Sequence, residues 1–127
     1  MGVVGFGGLF FRAADPDGLN AWYREHLNVG GGCSGDGEKA VNEWVWTAQG
    51  GPTVFAPFAA DTDYFPADRR HMVNFRVTGL DTLIANLSAA GIAVETRAEW
   101  DSPEVGRFAR IHDPEGNPIE LWEMSPG

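Results

Sequence analysis

The chain carries the same pattern twice, and an internal repeat limits the fold more than any single motif does. With a shift of 64 positions, Phe11-Arg12 falls on Phe75-Arg76, Asp17 on Asp81, Leu19 on Leu83 and Ala21 on Ala85. With a shift of 66, Gly50-Gly51-Pro52 falls on Gly116-Asn117-Pro118. The change of offset amounts to one small loop insertion. Turn residues meet turn residues in the same order, which sets the repeat apart from scattered identities.

Each half reads as a strand, a helix and then three strands. In the first, Phe6 to Arg12 is an apolar and aromatic strand. Asp15-Pro16-Asp17 opens a helix, with Asp15 as the N-cap candidate, and Leu19, Trp22, Tyr23 and Leu27 recur at helical spacing. Asn28 to Lys39 reads as loop or weak strand. Ala40 to Ala48 and Pro52 to Phe58 read as strands joined by a turn at Gln49-Gly50-Gly51. Ala59 to Arg70 is a connector. In the second half His71 to Val77 is a strand, Leu80 to Ala90 a helix stopped by Gly91, and Ile92 to Arg97 a strand. Gly106 to His112 and Asn117 to Glu123 are strands joined by the tight turn Asp113-Pro114-Glu115-Gly116.

One such half is a curved sheet with one helix on its back, and its other face needs cover. Two halves side by side close the sheet into a cup with a pocket where they meet. The expected class is therefore α+β. A length of 127 residues supports one domain spanning 1–127, with a first module over 1–60 and a second over 70–127. Hydrophobic residues at 43% and charged residues at 21% fit a soluble globular chain. The apolar runs are too short to span a membrane. The net charge of −9 argues against a nucleic-acid partner, because phosphate binding needs a basic surface. The single Cys33 leaves no disulfide framework within the chain, and Met1 to Phe10 has no basic start, so a cytoplasmic address is the default expectation.

The stretch from Gly106 through His112-Asp-Pro-Glu-Gly-Asn-Pro-Ile-Glu120 to Glu123 resembles the C-terminal signature of the vicinal oxygen chelate superfamily. That superfamily includes glyoxalase I, bleomycin-resistance proteins, fosfomycin-resistance enzymes, methylmalonyl-CoA epimerase and extradiol dioxygenases. Leu9 to Leu27 and Met72 to Gly91 resemble the openings of its two modules. The resemblance implies paired βαβββ modules forming a cup. In the enzymes it implies a divalent metal held by up to four side chains, from the first and last strand of each module. Carried over singly, those positions fall on Glu120, Gly8, Met72 and Val54, and of these only Glu120 offers a good oxygen ligand. His71 lies one residue from the Met72 position and would need a bulge or register shift to turn inward. The expectation is no cofactor and no tightly held metal. If a metal binds, Glu120 with His71 would hold it. The resemblance also implies a homodimer.

Strand parity extends the site. If Gly8 and Met72 point into the cup, so do Phe10, Arg12, Asn74 and Arg76, and Glu120 shares its face with Trp122 and Met124. Arg12 and Arg76 are related by the repeat and could clamp an anionic ligand, or could pair with Glu120 or another carboxylate. Trp44, Trp46, Phe55, Phe58, Tyr64, Phe65 and Trp122 are candidates for an aromatic wall or for core. Trp44 and Trp46 share one strand face, and their parity stays open. Glu120 is the candidate general base if it is desolvated among apolar groups. Three readings follow. The first is a glyoxalase or bleomycin-resistance-like protein binding a small organic anion or aromatic ligand. The second is a metal-dependent lyase, isomerase or dioxygenase. The third is a non-catalytic drug-sequestering protein. Gly5-Phe-Gly7-Gly8 lacks the third glycine of a dinucleotide turn, and Gly30 to Gly35 lacks the lysine of a phosphate loop.

Overall fold

The computed structural model describes residues 1–30 and 45–126. Its regular elements are α1 (Pro16–Leu27), β1 (Val73–Arg76), α2 (Leu80–Ala89), β2 (Gly106–His112) and β3 (Pro118–Met124). A single 3-10 turn, Ala98–Trp100, precedes β2. The three strands form a mixed sheet in the order β1-β3-β2, with β1 parallel and β2 antiparallel to β3. Among the described residues no helix is long and apolar enough to cross a membrane.

The helix ends follow from local chemistry. The Asp15 carboxylate accepts the Gly18 N–H at 3.1 Å, and Pro16 opens the first turn, where its missing N–H is not needed. Asn28, at φ 55°, closes α1 in the left-handed region. Gly79 opens α2 and provides no side chain to cap it. The Glu123 carboxylate of β3 supplies that cap by accepting the Leu80 N–H at 2.8 Å. This puts a negative charge at a helix N-terminus. Gly91 ends α2 at φ 84°, and the Ile92 N–H returns to the Leu87 carbonyl.

Both helices cover one face of the sheet. Leu19 and Tyr23 of α1 and Leu80 and Leu87 of α2 form one core with Ala109, Ile111, Ile119 and Leu121. Ile111, Ile119 and Leu121 are fully buried, each stabilising the fold by about 1.5–3 kcal/mol. The Asp113–Asn117 turn ties the halves together. Asp113 accepts the Tyr23 hydroxyl at 2.7 Å and the Asn117 side-chain amide at 2.8 Å, and its other oxygen accepts the Glu115 and Asn117 N–H groups. Glu115 accepts the Ala14 and Asp15 N–H groups ahead of α1. Arg69 of the connector donates to the Glu115 carbonyl.

Three expected strands differ from the structure. Phe6 to Arg12, the described part of Ala40 to Ala48 and Pro52 to Phe58 lie outside any strand. The apolar pattern marks them as extended, but a strand is defined by its partner, and these segments pair with neither outer edge of the sheet. Ile92 to Arg97 contributes only the bridge between Glu95 and Arg110. Residues 31–44 and 127, which include Cys33 and Trp44, lie outside the described residues.

Candidate functional site

Alternation along the strands separates two chemistries. Val73, Phe75, Ala109, Ile111, Ile119 and Leu121 face the helices. Asn74, Phe108, Arg110, Glu120 and Trp122 face the other way. The second face carries the polar centre. Glu120 is only 8% exposed, and both its oxygens are in use: Oε2 accepts the Tyr64 hydroxyl at 2.5 Å and Oε1 accepts the Asn74 amide at 2.7 Å. The register places Asn74 beside Glu120 on one side and Arg110 on the other. Burial, helped by the hydrogen bond to Glu120, pushes the Tyr64 phenol up to about 12, because an anionic phenolate beside that carboxylate is disfavoured.

An aromatic wall adjoins this centre. Tyr64 stacks on Phe58 and meets Trp100 edge-on, with centroids 5.5 Å and 6.1 Å away. The Arg110 guanidinium lies 4.9 Å from the Tyr64 ring centroid and 5.3 Å from that of Trp100. Phe108 and Trp122 stack nearly parallel, and the Trp122 indole N–H donates to the Val105 carbonyl. A cleft of about 640 Å³ runs past Tyr64, Phe65, Arg97, Trp100, Arg110 and His112.

The structure sorts the expected site residues. Glu120, Asn74 and Trp122 share one face, as parity requires. Met72 is half-buried just ahead of β1. The Arg76 guanidinium donates to the Pro52 carbonyl at 2.6 Å and to the Gln49 carbonyl, and so fastens the Gln49–Pro52 turn to the sheet. Arg12 is exposed and Phe10 is 94% exposed, so neither joins Glu120. Trp46 packs edge-on against Phe75, on the face opposite Glu120, and is 44% exposed. Trp44 lies outside the described residues.

The implied metal does not fit the donors present. His71 is exposed ahead of β1, Val54 is 66% exposed, and Gly8 and Met72 bring no charged oxygen or nitrogen. The Glu120 carboxylate is committed to Tyr64 and Asn74. Among the described residues no three of His, Cys, Asp and Glu converge. A hard cation needs several oxygens held together.

Sequence reasoning missed Arg110, and it placed Tyr64 only among the wall candidates. The signal for Arg110 was available. The turn after β2 sets His112 opposite Pro118, so Arg110 falls opposite Glu120.

A family profile described as a glyoxalase-like domain matches residues 8–122. The chain belongs to the glyoxalase-like domain family. It is a member of the vicinal oxygen chelate superfamily, and its α+β fold is the glyoxalase fold. Among solved structures it is similar to that of TnmS3, an antibiotic binding protein from Streptomyces sp. CB03234. The two are 23% identical, with a TM-score of 0.54 over 98% of this chain and 99% of that one. No relative among curated proteins matches.

Proposed function

We propose that this glyoxalase-like domain binds a small organic anion or aromatic molecule on its Glu120 face, without a tightly held metal. One observation carries the reading. A buried carboxylate, already hydrogen-bonded through both oxygens, sits beside an aromatic wall and an open cleft, while the other family metal positions lack donors. That is a surface built to enclose and orient a ligand rather than to coordinate a cation. The antibiotic-binding relative supports this choice over a metal-dependent lyase, isomerase or dioxygenase. The test combines metal analysis of protein purified without chelator with a melting screen against aromatic and anionic compounds. Stabilisation by organic compounds without bound metal is expected. Near one metal per chain, with a site lost in Glu120→Ala, would overturn the reading.

The proposal includes a homodimer in the cytoplasm. Phe6, Phe10, Val54 and Phe55 are 65% to 94% exposed, and the outer edge of β1 carries no strand among the described residues. An open edge beside bare apolar chain is a ready surface for a second copy. Light scattering should give a mass near twice 13.8 kDa, and a mass near 13.8 kDa would refute the dimer.

A further inference from the structure

Arg110 is a buried cation with two of its three guanidinium nitrogens idle. It is 5% exposed, and its Nε and Nη2 have no hydrogen-bond partner among the described residues. Buried polar groups are satisfied in the large majority of cases, so an unpaired pair on one side chain needs an explanation. Cross-strand Glu120 does not supply the partner, since its oxygens are taken by Tyr64 and Asn74. The Tyr64 hydroxyl is near enough to interact with Arg110 but spends its proton on Glu120, and the rings of Tyr64 and Trp100 offer Nε and Nη2 no acceptor. They lie over the guanidinium, whereas the N–H bonds point outward in its plane.

The two idle atoms are not scattered. Nε and Nη2 lie on the same edge of the planar guanidinium, and their N–H bonds run parallel at the spacing of two carboxylate oxygens. A lysine could fill the same volume with charge but could not present such a fork. Arg110 itself lines the cleft, together with Tyr64, Arg97, Trp100 and His112. Of the acids at that cleft, Glu95 is engaged by Arg97 at 2.7 Å, while Asp61 and Asp63 are exposed at its rim, where salt screens them.

We propose that the Nε/Nη2 edge of Arg110 is the anchor for a ligand carboxylate, whose attached ring system packs against Tyr64 and Trp100. The assignment rests on the reading of this face as a small-molecule site and names the ligand class it takes: aromatic carboxylates. Both covering rings sit on segments with few regular hydrogen bonds, the connector and the 3-10 turn, so entry requires a shift of irregular chain rather than of the sheet.

The test uses 2-naphthoate and its neutral analogue 2-naphthamide as probes, by calorimetry on the wild-type chain, Arg110→Lys and Arg110→Met. The expected result is naphthoate binding about tenfold or more tighter than naphthamide in the wild type. Arg110→Lys should lose most of that preference, because charge without the fork is insufficient. Arg110→Met should lose it too, yet melt no lower than the wild type without ligand, since it removes an unpaired buried charge. A purely structural arginine would lower the melting temperature and leave the preference alone. Equal binding of both probes by the wild type would overturn the assignment while leaving the small-molecule site standing, as would a preference that survives in Arg110→Met. Binding of neither probe at millimolar concentration would also overturn it, and the broader melting screen would then decide the site itself.

Discussion

Two tyrosines make up the chain's whole complement, and both donate to carboxylates: Tyr23 to Asp113 and Tyr64 to Glu120. The absorbance of tyrosinate therefore reports on the core and on the site, one residue each. Burial and the neighbouring Asp113 hold Tyr23 far above the ordinary phenol range, and Tyr64 ionises near 12 instead of 10. At ~1.36 kcal/mol per tenfold change, the Tyr64 rise corresponds to ~2.7 kcal/mol at full strength. The ring is only half-buried, so solvent screening reduces the useful stabilisation to about 1 kcal/mol. Its sign is fixed. Folding favours the protonated phenol, so the contribution is complete below pH 10 and is lost as pH rises through about 12. The perturbation is Glu120→Gln, which removes the acceptor's charge but keeps its shape. A wild-type titration should show no tyrosinate step near pH 10. In Glu120→Gln one step should move down toward 10 without reaching it, because burial, the largest cause, remains. Tyr64→Phe should abolish that step. An ordinary wild-type step near pH 10, equal to one tyrosine with circular dichroism unchanged, would refute the buried Tyr64–Glu120 pair.

Three further outcomes follow from the same contacts. Tyr23→Phe leaves Asp113 short of a donor in the core and should cost about 1.5–3 kcal/mol, or about 5–10 °C in melting temperature, by calorimetry. Gly106→Ala should destabilise by about 1–3 kcal/mol in denaturant titration, because Gly106 sits at φ 129° and an added Cβ would run into the Glu123 carbonyl oxygen. Arg76→Ala should speed proteolytic cleavage near Gln49–Pro52 at least severalfold, since Arg76 holds that turn through two backbone carbonyls.

What could be read from the sequence was local or periodic. Asp15-Pro16, Gly91 and the Asp113–Asn117 turn announce themselves because their side chains or glycine conformations act within a few residues. The common face of Asn74, Glu120 and Trp122 was legible because alternation in a strand is strict. The first-half segments read as strands from their apolar pattern, yet no strand forms there among the described residues, because pairing depends on a distant partner that no local pattern encodes. Tyr64 was legible only as an aromatic residue, since it reaches Glu120 from an irregular connector 56 positions away.

The repeat and the packing of the sheet draw attention to different cations. Symmetry singles out Arg12 and Arg76, but an arginine that recurs in both halves can serve the frame rather than the site, and Arg76 does so through two backbone carbonyls. Arg110 has no counterpart under the repeat. It differs from Arg76 in two physical respects: its strand is held on both sides, by Glu95 and by β3, and its guanidinium is roofed by rings instead of carbonyls. The first fixes the side chain's direction. The second shields its faces from water while offering no acceptor to its edge. A cation in that position is costly for the free protein and useful only when something arrives to accept its hydrogen bonds, and this asymmetry is what the Arg110 substitutions measure.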